Sequence, residues 1–286
     1  MIGILKVYQF ANIERIDRVG PLQQLGQGAR NRFVVRPDAL EEHSPFVLLV
    51  EDYIDPSAGF HPHPHRGLET VMIILDGQML HSDHLGFKGV VGPGDAQWMT
   101  AGRGIVHDGG PHDGQLVHAL QLWVGLPAQL RNSNPGTREQ RLGQAMMRPA
   151  QNGSVTIYGA GSLQPGEPEW SRWPLTISDV RLGADGRCLL EIAPGERMFA
   201  YVLKGSFEHP ESGRSMVAGD VVWIELTQES RQFEVTTASG GRLMVYSGQP
   251  ILEPVVARGP FVMGSEEEIA QAYDELRTNR FLETSA

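Results

Sequence analysis

The chain repeats itself. Residues 71–77 read VMIILDG and residues 199–205 read FAYVLKG; downstream, GPGDAQW at 92–98 matches VAGDVVW at 217–223. Each copy is an apolar run ending at a glycine, then a Gly-Asp turn leading into a run that carries a tryptophan. From turn glycine to aspartate the spacing is 18 residues in one copy and 15 in the other. A unit that recurs in this way implies two copies of one small domain. The punctuation says which kind. The 34 glycines and 19 prolines separate short apolar runs such as Phe46–Val50, Thr70–Leu75, Val117–Val124, Leu189–Ile192, Phe199–Leu203, Val221–Leu226 and Arg242–Tyr246. Runs near five residues bounded by turn formers point to antiparallel β-barrels or sandwiches. The expectation is an all-β chain of two tandem barrels, residues 1–130 and 151–286, joined by a polar connection over 131–150. One helix is expected at about 265–280: Ser265 and Glu268 fit a capping box, and Ile269, Ala272, Tyr273 and Leu276 form an apolar stripe. Asp95 and Asp220 are expected to hold turns.

The chemistry sits in one copy only. Nine of the ten histidines fall within residues 43–118. Three of them crowd into Phe60-His61-Pro62-His63-Pro64-His65-Arg66-Gly67, where the prolines disfavour helix and favour an extended strand. Residues two apart on a strand share a face, so His61, His63 and His65 can point one way. Neutral imidazole is a common ligand for late first-row metals; the bland alternative is a solvated loop that binds metal adventitiously. Counting through the repeat, His63 and His65 correspond to Glu191 and Ala193, and His107 to Gln232. A random surplus of histidine need not respect a repeat. The asymmetry therefore favours a metal site in the first copy.

The bulk numbers exclude several classes. With 24 basic and 34 acidic residues the net charge is −10, which argues against binding a nucleic-acid backbone and predicts no membrane affinity. A single cysteine, Cys188, rules out a disulfide framework and any CxxC motif; in an apolar run it reads as a buried small hydrophobe. No apolar stretch is long enough to span a bilayer. The opening MIGILKVYQFANIERI lacks the pattern of a signal peptide and reads as a first strand. A reducing compartment follows as the expectation, most simply the cytoplasm.

The segments HPHRGLETV at 63–71, GPGDAQWMTAGRGIVH at 92–107, HALQLWV at 118–124, GPFVM at 259–263 and EEEIAQA at 266–272 resemble the pirin family of the cupin superfamily along nearly the whole chain. The resemblance implies a bicupin with one divalent metal, usually iron, in the N-terminal barrel. It implies ligands at His63, His65 and His107 and a glutamate two residues beyond the third histidine. It also implies quercetin 2,3-dioxygenase activity, as in bacterial members, or a regulatory role through a protein partner, as in eukaryotic ones. The substrate side would be a small aromatic molecule and O2.

One ligand does not transfer: the position two after His107 is Gly109. Without that carboxylate a ferrous site carries +2 rather than +1, which disfavours the ferric state and loosens metal choice, so zinc, nickel, copper and manganese stay open beside Fe(II). Glu69, four residues after His65, is the candidate to replace it, as ligand or as the base that deprotonates substrate. Gly67 would supply the bend, and the alternative for Glu69 is support to a histidine or to Arg66. Asp108, if Gly109 and Gly110 let the backbone swivel, and His112 are further options; a three-histidine site completed by water is the remaining one. His61, Arg66 and Met99 are expected around the pocket, with a structural ion pair as the alternative for Arg66. Met72, Met79 and Trp98 read as core or pocket wall, and His81 and His84 as a solvated loop. A metal-free, degenerate cupin also remains open.

Overall fold

The structure, a computed structural model, describes residues 9–159 and 170–283. Strands dominate, and contacts gather into two units. One holds residues 20–145, 170–174 and 251–283; the other holds 9–19, 146–159 and 175–250. This division departs from the cuts expected at 130 and 150. Gly136–Gln140, inside the expected connection, is the edge strand beside Ala96–Thr100 in the first unit. Ile13–Arg18 pairs with Asp220–Ile224 in the second, and residues 1–8 of the expected first strand lie outside the described residues. The tryptophans show why each barrel recruits such a strand. Trp98 Nε1 donates to Gln140 Oε1 (3.1 Å) and Trp223 Nε1 to Asp17 Oδ2 (3.0 Å). A buried indole N–H requires an acceptor, and the added strand supplies it while covering an open sheet edge.

The repeat is visible down to register. Trp98 stands opposite Val71, and Trp223 opposite Phe199. Asp95 Oδ2 accepts from Gly92 N–H (3.0 Å) and Asp220 Oδ2 from Val217 N–H (2.7 Å), the turns anticipated for both. Gly77 and Gly205 have φ of +76° and +79°. A Cβ on either would come within 2.3 Å of a carbonyl oxygen, that of Leu116 or Gly240. Glycine is therefore obligatory at both.

In the first unit a seven-stranded sheet runs from Gly136–Gln140 through Ala96–Thr100, Leu68–Asp76, Val117–Gly125, Phe46–Ile54 and Ala29–Val35 to Gln23–Gln24. A four-stranded sheet has the order Phe60–His65, Ile105–Pro111, Met79–Asp83, Lys88–Val91. The apolar interior is divided into one cluster around Ile54, Met72, Ile74 and Met79 and another around Val47, Leu68, Met99 and Ile105. The second unit instead has one continuous core that includes Leu190, Ile192, Phe233 and Val235. The tail, expected with the second barrel, belongs to the first unit. Its helix spans Glu266–Arg277, Ser265 Oγ accepts from Glu268 N–H, and Ile269 and Ala272 are buried.

Candidate metal centre

His63 and His107 face each other across neighbouring antiparallel strands, with His65 opposite Ile105. The strand alternation that puts Ile105 in the core puts His107 on the same inward face. The three histidines each offer a nitrogen, and these atoms lie within 4.8 Å of one another. Ring centroids are 4.2 Å apart for His63–His107, 4.9 Å for His63–His65 and 5.1 Å for His65–His107.

Their hydrogen bonds fix which nitrogen faces the centre. His63 Nδ1–H donates to the His61 carbonyl (2.7 Å) and His65 Nδ1–H to the Pro260 carbonyl (3.1 Å). A carbonyl only accepts, so Nδ1 bears the hydrogen and each Nε2 keeps its lone pair. His107 has both nitrogens buried with no hydrogen-bond partner among the described residues. Burial, and next the neighbouring His63, lower the pKa of His65 to about 3; burial, then His63, His65 and His81, lower that of His107 to about 2. Neutral imidazoles with converging lone pairs and one ring lacking any partner fit a divalent cation.

The other candidates are placed elsewhere. Glu69 is neither ligand nor base to this centre. Thr70 and Met72 on its strand line the cavity, so Glu69 points to the opposite face of the sheet. There Thr100 Oγ1 (2.6 Å), Ser171 Oγ and the Arg172 N–H all donate to its carboxylate. Burial nonetheless raises its pKa. Gly67 does turn the chain, with φ +77°, but the turn leads Glu69 away. Arg66 serves an ion pair rather than the pocket: its Nη1 lies 2.6 Å from Glu275 Oε2, its Nη2 donates to the Phe281 carbonyl, and it stacks on the Phe281 ring. Met99 packs in the apolar cluster, His61 is exposed, and His112 pairs with Asp113 at the surface.

Asp108 does line the cavity, at a register irregularity between His107 and Gly109, and Ser82 Oγ donates to its Oδ1. Gly109 explains why no side chain replaces the family glutamate. A Cβ there would sit 2.5 Å from the Leu80 carbonyl oxygen and 3.3 Å from Met79 Cε. The strand Met79–Asp83 passes too close for any side chain.

Sequence reading missed His81. It is 3 % exposed, not solvated, and stacks on His107 with centroids 5.0 Å apart. Its Nε2 lies 3.7 Å from Asp83 Oδ2 and 3.3 Å from Thr137 Oγ1, and burial lowers its pKa. The signal was its spacing: Met79 and His81 alternate as inward positions would. His84 accepts from Val106 N–H. Together His63, His65, His81 and His107 border a cavity of about 250 Å³ whose apolar walls include Phe60, Met72 and Met79.

Comparisons with known proteins place this arrangement. The Pirin family model matches residues 20–124, and the model of the Pirin C-terminal cupin domain matches residues 177–282. A Pseudomonas aeruginosa protein named "Putative quercetin 2,3-dioxygenase" is 34% identical over 266 residues, covering 88% of this chain and 92% of its own. Pirin of Homo sapiens is 33% identical over 258 residues, covering 89% of each chain. The crystal structure of a quercetin 2,3-dioxygenase from Acinetobacter baumannii superposes with a TM-score of 0.84 at 26% identity, over 95% of this chain and 98% of that one. The two barrels are cupins, and the chain belongs to the pirin family.

Proposed function

We propose that His63, His65 and His107 hold one divalent ion, Fe(II) before zinc, nickel, copper or manganese, and that the cavity carries out dioxygenolytic cleavage of aromatic hydroxy-carbonyl compounds of the quercetin type. The observation that carries this reading is the convergence of three neutral imidazoles from two strands, one with no hydrogen-bond partner among the described residues, in the wall of a partly apolar cavity. The names of the Pseudomonas and Acinetobacter relatives support the substrate class. A bound ion of this kind supplies Lewis acidity and, when redox-active, electron transfer toward O2.

The chain's own residues do the rest. The His61 and Pro260 carbonyls fix the tautomers of His63 and His65, so their lone pairs are presented without reorganisation. Phe60, Met72 and Met79 offer flat apolar surface to a planar ring and keep water from it. Asp108, steadied by Ser82, is the carboxylate at the cavity wall and takes the proton of the substrate hydroxyl. Glu69 cannot, because it faces away.

The test is aerobic loss of quercetin followed by absorbance, with wild type beside His63→Ala and metal content measured on both. Activity that depends on His63 is expected. A metal-loaded wild type that turns over nothing sinks the enzymatic reading and leaves a regulatory protein whose metal state tunes a partner contact.

A further inference from the structure

Two donors in the cavity wall have no acceptor, and neither belongs to the imidazole cluster. Gln97, 6 % exposed, lines the cavity, and its Nε2 is buried without a hydrogen-bond partner among the described residues. Trp123 lines it too, with Nε1 in the same condition and its ring edge-on to His65 at 4.9 Å. Sheet register explains their placement. Gln97, Met72 and Gln121 form one cross-strand row, and Met99, Thr70 and Trp123 form the next. The rows are two residues apart on each strand, so both present the same face. Turning the Gln97 amide would exchange donor for acceptor, but an indole nitrogen donates in every orientation.

A buried N–H without an acceptor carries an uncompensated desolvation penalty, which an incoming oxygen relieves. Size limits what brings that oxygen. The cavity, about 250 Å³, lies below the roughly 300–1,000 Å³ of sites that enclose drug-sized ligands. We infer that Gln97 and Trp123 form an oxygen-acceptor subsite, and that this cavity encloses the hydroxy-carbonyl ring portion of a planar chelator together with a further acceptor oxygen beyond the chelating pair. The inference rests on the metal-centre reading above and narrows its substrate class.

The test uses two single-ring probes that share one chelating hydroxyl–ketone pair: 3-hydroxy-4-pyrone and its 6-carboxylate. Binding is measured by calorimetry on nickel-loaded protein, with thermal melts to verify folding. The carboxylate is expected to bind wild type about tenfold more tightly than the parent. Gln97→Leu and Trp123→Phe should each remove most of that advantage while shifting the parent less than about twofold. If Gln97→Leu fails to fold, Trp123→Phe carries the comparison alone. Equal losses for both probes, or an undiminished advantage in both variants, overturn the subsite. Wild type that takes up no stoichiometric nickel overturns the metal centre itself, whereas nickel-loaded wild type that binds neither pyrone overturns the subsite.

Discussion

The two barrels share a scaffold and differ in what fills it. In the first, His63 and His107 pair across strands and face a cavity; in the second, Leu190 and Phe233 pair across strands and face a continuous apolar core. Polar side chains such as Gln97 and Gln121 border the first interior and divide its apolar residues into separate clusters. In the second, the residues around Leu190 and Phe233 belong to a single cluster. A barrel of this kind can spend its interior on cohesion or on a site, and this chain does one in each copy.

The contrast can be broken from either side. The largest effect belongs to the pair His63→Ala with His107→Ala. Structural zinc sites gain roughly 10–16 kcal/mol over four ligands, so two ligands are worth about 6 kcal/mol, or ~10⁴-fold in affinity. Elemental analysis after dialysis should find the variant metal-free yet folded; stoichiometric metal in it would refute the ligand assignment. Next is Leu190→His with Phe233→His, which places imidazoles on the equivalent inward register of the second barrel. With Leu190 and Phe233 packed in a closed apolar cluster, it should lose about 4 kcal/mol in denaturant titration and bind nothing. Metal binding there with stability retained would mean that the scaffold alone makes the site.

Gly109→Glu comes third. The 2.5 Å approach of a Cβ to the Leu80 carbonyl predicts a loss of about 3 kcal/mol with no gain in bound iron. More iron without destabilisation would show that the Met79–Asp83 strand yields. The smallest is Asp52→Asn. Asp52 is buried, and desolvation raises its pKa from 3.8 to about 6, against a lowering bond from Asn31. A carboxyl whose folded pKa is the higher stabilises fully below about pH 4, and that contribution is lost as pH rises through about 6. Asp52→Asn should therefore flatten the pH–stability curve over that window and gain about 2 kcal/mol above it. In the second barrel the buried Asp179 meets Arg181 and Arg242, each at 2.8 Å, so Asp179→Asn should destabilise instead. A gain in stability of the same size in both variants at neutral pH would erase the distinction.

Much of this was legible in the sequence. The repeat gave the tandem barrels and both Gly-Asp turns, and the alternation of His61, His63 and His65 placed two of the three clustered imidazoles. What escaped was the set of facts that depends on which face a residue takes. Counting through the repeat paired His63 and His107 with Glu191 and Gln232, which do stand opposite each other. They lie on the wrong face, however, because a strand offset of one residue reverses inside and outside. The same parity defeated Glu69, whose four-residue spacing from His65 was sound while its direction was not. His81 was lost to a loop assignment, and the strand exchange was invisible because linear boundaries assume that neighbours in sequence stay neighbours in space.

That exchange has a consequence for synthesis. All three histidines are translated by residue 107, but Pro260, whose carbonyl anchors His65, and Glu275, whose carboxylate grips Arg66 beside it, arrive only at the end. A nascent chain still on the ribosome holds all three imidazoles and lacks the carbonyl that orients His65. If the three imidazoles hold an ion as proposed, the tail takes part in assembling its site: without residues 251–283 the His65 ring would lose its acceptor while His63 kept the His61 carbonyl.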